Sequence, residues 1–95
     1  MAYRSNWNEQ SELKCLLIFK QLEADNFPRG KQSKLCKAIT KSTNLDATHI
    51  SAKVCNYKSV AGINNSSNYS KNTFNLYHKY KDLSISELKK IIENH

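Results

Sequence analysis

The stretch "ATHISAKVCNYKSV", residues 47–60, decides how this chain is read. Ile50, Val54 and Tyr57 recur at i, i+4 and i+7, which puts three apolar side chains on one side of a helix. Asp46 stands immediately before the stretch, where a carboxylate can accept hydrogen bonds from the first-turn amides and cap the helix. Between the apolar positions lie Thr48, His49, Ser51, Lys53 and Asn56, all with hydrogen-bonding side chains. The pattern predicts a helix from Ala47 to about Lys58 with one face in a core and the other open to a partner.

Working upstream, "KLCKAI" belongs to a helix predicted over about Gln32 to Lys41. Leu35, Ala38 and Ile39 are expected to face inward, and Lys34, Lys37 and Lys41 to stand on the opposite side at i, i+3 and i+7. The short connection "STNL" joins the two helices, with Leu45 filling the corner. Further upstream, "DNFPRG" breaks the chain, because Pro28 lacks an amide hydrogen and Gly30 accepts unusual backbone angles. Before it a helix is predicted from about Glu9 to Ala24, with Asn8 as cap and Glu9 and Glu12 complementing its positive end. Leu13, Leu16 and Leu17, widened by Ile18, Phe19 and Leu22, make most of that helix core-facing, and Trp7 is expected to anchor its start.

Downstream, "SVAGINNSSN" reads as a loop. A fourth helix is expected over about Ser70 to Lys81, with Phe74 and Tyr77 inward. "SISE" is a capping box, in which Ser84 and Glu87 exchange hydrogen bonds with each other's backbone amides, and Leu88, Ile91 and Ile92 form the apolar face of the helix that follows. No stretch alternates as a half-buried strand would. The expected fold is all-α, a small helix-turn-helix-like bundle of about five helices in a single domain over residues 1–95, with 1–6 a flexible tail.

The charge pattern points to a partner. The chain carries a net +7, and residues 29–58 hold seven basic side chains (Arg29, Lys31, Lys34, Lys37, Lys41, Lys53, Lys58) against one acid, Asp46, so 7 − 1 = +6 lies in this segment alone. Thirteen lysines against two arginines, with eleven asparagines, resemble an AT-rich coding bias; that accounts for lysine over arginine and not for the clustering. A positive field concentrated on one supersecondary unit suits a polyanion.

Two helices joined by a short turn, the second with a polar outward face, make a helix-turn-helix candidate. The major groove of B-form DNA admits one α-helix and is read there by polar side chains. Thr48, His49, Ser51, Lys53 and Asn56 are the expected base or groove contacts, and Ala52 is small enough to approach a thymine methyl. Asn56, beside Tyr57, could instead cap its helix. Lys34, Lys37, Lys41 and Lys58 are the expected phosphate contacts, which fix register without reading sequence. The expected partner is double-stranded DNA, bound through residues of about 32–58.

Other chemistries find little support. The longest apolar run, Cys15 to Phe19, cannot span a bilayer, and the N-terminus has no signal-peptide pattern, so a cytoplasmic chain with no membrane partner is expected. Cys15, Cys36 and Cys55 are odd in number and far apart; they read as small buried hydrophobes, and His49, His78 and His95 add no metal-ligand spacing. With two glycines there is no phosphate-cradling loop, and no Ser or Cys nucleophile has an identifiable base. No enzyme activity, cofactor, metal or small-molecule substrate is expected. The aromatic residues at helical spacing read as core before they read as base-stacking platforms. The alternative function is a small protein-binding inhibitor or adaptor, of phage or bacterial origin, acting on a nucleic-acid-processing complex.

The blocks "WNEQSELKCLLIFKQL", "KLCKAI", "HISAKVCNYKSV" and "GINNSSNYSKNTFNLYHKY", in that order, resemble the small helical domain found at the N-terminus of many bacterial HNH-family, restriction-type endonucleases. The matching positions are Trp7, Leu35 with Ile39, then Lys53, Val54, Asn56 and Tyr57, and finally Gly62, Ile63 and Asn65 with Phe74. The resemblance covers roughly residues 7–81 and is sharpest at "AKVCNYKSV…GINN". It implies DNA binding, with a nuclease domain or partner protein alongside. The nuclease half has no counterpart in these residues, so cleavage is not implied. "LDATHI" replaces an Arg-Thr-Pro-like start of the reading helix, so base preference does not carry over. "WNEQSE" is also similar to Myb-like domains, which again read DNA with a third helix.

Overall fold

A computed structural model of the chain describes residues 9–63 and 69–94. Trp7, Asn8, Asn65, His95 and the tail over 1–6 lie outside the described residues. The described residues are all-α: α1 (Glu9–Ala24), α2 (Lys31–Ala38), α3 (Thr40–Thr43), α4 (Ala47–Val60), α5 (Lys71–Tyr80) and α6 (Ile85–Glu93). That is six helices among them, where the sequence pattern predicts about five.

The centre of the fold is α1, which packs against α4, α6, α2 and α5. Leu13, Cys15, Leu16, Phe19 and Leu22 are buried from it. A helix touched on several sides keeps only a narrow open strip, here the half-buried Lys14, Leu17 and Gln21, which is why its apolar residues spread around most of the cylinder instead of forming one stripe. Ile50, Val54 and Tyr57 of α4, Leu76 of α5 and Leu88 and Ile92 of α6 complete the core. The i, i+4, i+7 spacing of Ile50, Val54 and Tyr57 therefore marks the buried side of α4. Tyr57 is fully buried, and its phenol donates to the carbonyl of Glu12 at 3.3 Å. Burial pushes the Tyr57 phenol pKa up, and the nearby Glu12 charge adds to that.

Local signals set the helix ends. Asp46, Ser70 and Ser84 each cap a helix by accepting from the third residue beyond, at His49, Thr73 and Glu87. The capping box forms as "SISE" predicts, with the Glu87 carboxylate accepting from the Ser84 amide at 2.9 Å. That backbone bond holds the Glu87 carboxyl below the usual range.

The helix expected over Gln32 to Lys41 is in fact two. It stops at Ala38, bends at Ile39 and restarts as the four-residue α3. The hydroxyls of "ITKST" explain the break: Thr40 Oγ1 donates to the Lys37 carbonyl at 2.9 Å, and Thr43 Oγ1 and Ser42 Oγ both donate to that of Ile39. Such side chains compete for the carbonyls that a continuing helix would use. Asn44, at φ 58°, then turns the chain toward Asp46, a left-handed position that asparagine tolerates. The connection from α2 to α4 is thus residues 39–46 with a helical turn inside it, longer than a tight helix-turn-helix corner.

Three burial expectations are corrected. Ala38 is exposed, and Cys36 is the residue that α2 buries. Cys15 and Cys36 are buried, with burial pushing the Cys15 thiol up to about 12 and raising that of Cys36, but Cys55 is exposed. Phe74, expected inward, is 41% exposed, and Thr73 and Leu76 take the interior of α5. The reason for this last shift is polar: Lys53 and Glu12 converge beside α5 and need a hydroxyl there.

Candidate nucleic-acid interface

Two neighbours flank α4 and determine where each of its polar side chains goes. On one flank, Gln32 of α2 donates from Nε2 to Ser51 Oγ at 2.7 Å and accepts from Lys58 Nζ at 2.6 Å. The Lys58 ammonium also sits 5.3 Å from the centre of the Phe27 ring. Gln32 therefore ties α2 to two successive turns of α4, a role invisible while its partners lie a helix away.

On the other flank, Lys53 turns inward. Its ammonium is 3.0 Å from Glu12 Oε1 of α1, with only 13% of the Lys53 side chain and 7% of the Glu12 side chain exposed. It also reaches Thr73 Oγ1 of α5 at 3.3 Å, and Asn72 donates to the second oxygen of Glu12. A buried charge must be both paired and hydrogen-bonded to be tolerated. That requirement puts Thr73 inside, and with it turns Phe74 out.

Between these flanks runs the exposed side of α4. Thr48 and Ala52 are exposed there, and with Ser51 and Cys55 they form one wall of an open groove of about 660 Å³ against α2. Ser33, Lys37 and the thiol-bearing Cys36 line the α2 side. Lys34 is exposed at i − 3 from Lys37 on the same helix, and Lys41 is exposed on α3, beyond the bend at Ile39. Lys34, Lys37 and Lys41 have no ion-pair partner among the described residues.

The nine residues singled out from sequence thus divide. Thr48, Ser51 and Lys37 meet at one groove, with Lys34 beside it and Lys41 further along. His49 is exposed but leans back on its own cap, Nδ1 lying 3.1 Å from Asp46 Oδ1. Asn56 is half-buried and internal to α4, which runs on to Val60 and ends at Ala61, so Asn56 does not cap the helix. Lys53 faces the protein interior and Lys58 lies against Gln32 and Phe27. Ser33 and Cys55 also line the groove, and the sequence does not single them out; polar and small residues of this kind carry no signal until both helices are placed.

Among the described residues no three of His, Cys, Asp and Glu lie close enough to hold a metal ion, and no helix is long and apolar enough to cross a membrane. Comparison with protein-family models, curated proteins and solved structures returns no match for this chain.

Proposed function

We propose that the protein binds double-stranded DNA through the α2/α4 face. One observation carries this reading: a groove walled by the hydroxyls of Ser33, Thr48 and Ser51 is bordered by the exposed, unpaired ammonium groups of Lys34 and Lys37, within a segment of net charge +6. Lys34, Lys37 and Lys41 take phosphates, which fixes α4 against the duplex. Thr48 offers a donor and an acceptor to base edges, beside a Ser51 hydroxyl already held by Gln32, and Ala52 offers a methyl-sized contact to thymine. Lys53 and Lys58 support this surface from within and beside it, since each already has a protein partner. The resemblance of "AKVCNYKSV…GINN" to the DNA-binding domain of HNH-family endonucleases supports the same reading, and a recognition module working beside a nuclease, or a small regulator, is the setting it suggests.

The test is a fluorescence-anisotropy titration of labelled random-sequence duplex at low and near-physiological salt. The expected result is a Kd below about 1 μM at low salt, with log K falling linearly in log salt. No binding at either salt overturns the proposal. A protein-binding module is the second reading, favoured by an apolar cleft of about 290 Å³ where Leu17 and Ile18 of α1, Leu35 of α2 with Ile39 at its end, and Ile92 of α6 converge. A stoichiometric protein complex in pull-down, without a DNA shift, is the result that would select it.

A further inference from the structure

The outward side of α5 carries a second and different surface. Lys71, Phe74, Asn75 and His78 stand at i, i+3, i+4 and i+7, which makes them one stripe, and all four are exposed. Phe74 is one of two large hydrophobic side chains exposed among the described residues. Its ring is not isolated. Tyr69 lies almost parallel to it, at 6.0 Å between centres and 16°, and His78 packs on it at 4.4 Å. Tyr77 meets His78 edge-on at 5.3 Å, and connects this outer array to the core ring of Phe19. The rings are therefore held in place before any ligand arrives, and stacking onto them orders few side chains.

The charges along α5 itself have one sign, while the carboxylates of Glu23 and Asp82 lie on the inner, Tyr77 side of the array. From Tyr69 to Lys81 there is no acid, while Lys71, Lys79 and Lys81 are all exposed. An exposed aromatic ring flanked by lysines matches what a single-stranded nucleic acid presents: flat bases on a phosphate backbone. A duplex does not present this, because its base faces are stacked inside. Asn75, which has both a donor and an acceptor on one side chain, stands next to Phe74 on the stripe and can meet the edge of an unpaired base.

We infer that the Lys71–Phe74–Asn75–His78 stripe of α5, with Tyr69 behind Phe74, is a binding site for single-stranded nucleic acid. An unpaired base stacks on the exposed Phe74 ring, and Lys71 and its neighbours hold the adjoining phosphates. This inference does not rest on the duplex reading: it uses another helix, another form of the polymer and another contact.

The test uses the full chain and two labelled single-stranded probes of about ten nucleotides, a length within the usual site size for such surfaces. One probe is oligo(dT) and the other an abasic strand with the same phosphates and no bases. The wild-type chain should bind oligo(dT) about tenfold or more tightly than the abasic strand. Phe74→Leu, which keeps an apolar side chain at an exposed position, should bring oligo(dT) affinity down to the abasic level without changing thermal stability. Phe74→Trp should restore it. Lys71→Gln should weaken both probes alike and lower the salt slope by about 0.7. Equal binding of oligo(dT) and the abasic strand overturns the inference, as does an unchanged oligo(dT) affinity in Phe74→Leu or no binding of oligo(dT) at all. The last result, with Phe74→Leu abolishing a protein complex instead, would assign the rings to a protein partner. The duplex reading is tested at Lys34 and Lys37 and this one at Lys71 and Phe74, so the two readings fail separately.

Discussion

Lys53 and Lys37 belong to the same basic segment and look interchangeable in the sequence, yet the fold treats them as opposites. Lys53 is sealed between α1, α4 and α5, its ammonium on Glu12 and Thr73. Lys37 stands at the lip of the α2/α4 groove without an ion-pair partner among the described residues. The first lysine joins helices, and the second projects charge. A count of charges along the chain gives the sign of the local field, but only the packing decides which charges are left to face a partner.

The largest expected effect tests the sealed side. Lys53→Met strands the Glu12 carboxylate in a nearly closed site, and removing one member of a buried pair costs about 3–5 kcal/mol. For a chain of this size that corresponds to a fall in Tm of roughly 12–40 °C by calorimetry. Replacing both partners, Glu12→Leu with Lys53→Met, should recover most of the loss, because the stranded charge goes as well. If Lys53→Met alone were neutral, the pair would not be buried as described and Lys53 would return to the surface set.

A second effect comes with alkaline pH. The Cys15 thiol ionises near 9.0 in an unfolded chain and is pushed up to about 12 by burial in the fold. The folded state thus holds its proton more tightly, so stability is full below pH 9 and falls as pH rises from 9 toward 12. The raised Tyr57 phenol acts in the same direction, while Lys20, whose ammonium burial lowers, works against both. In urea melts from pH 8 to 11 the wild-type chain should lose stability more steeply than Cys15→Ala, and equal slopes in the two chains would contradict the burial of Cys15.

A smaller effect concerns the groove wall. Asp46→Ala removes the acceptor of the His49 amide and releases His49 Nδ1. Losing a helix cap of this kind costs about 1 kcal/mol, measurable as a shift in the urea midpoint with an unchanged slope. Removing the carboxylate also makes this end of α4 more positive, so duplex affinity should rise slightly at low salt.

Features set within one helical turn are legible in the chain, and features set by packing are not. The start of α4 at Asp46 and the capping box at Ser84 are legible, because donor and acceptor lie three residues apart; Ser70, expected as the first residue of its helix, caps α5 instead. The buried side of α4 is legible from Ile50, Val54 and Tyr57 for the same reason of period. The break at Ile39 is not, since it depends on three hydroxyls competing for carbonyls in a segment whose apolar pattern continues straight through. Nor is the outward turn of Phe74, which hydrophobicity alone places inside. Thr73 wins that position because Lys53 and Glu12, distant in sequence, converge there and need a hydroxyl. Of the site, the hydrogen-bonding character of Thr48 and Ser51 and the charge of Lys34 and Lys37 can be read from the chain. The separation of Lys53 and Lys58 from them cannot, because Glu12 and Gln32 become their partners only through packing.

The most direct measurement is the slope of log K against log salt for duplex binding, taken for the wild-type chain, Lys37→Gln and Lys53→Met well below their melting temperatures. Each phosphate that the protein ceases to neutralise should reduce the slope by about 0.9, so Lys37→Gln should fall by that amount with its Tm unchanged, and Lys53→Met should keep the wild-type slope. A wild-type slope in Lys37→Gln, or a reduced one in Lys53→Met, would contradict the assignment of the α2 edge as the phosphate-facing side.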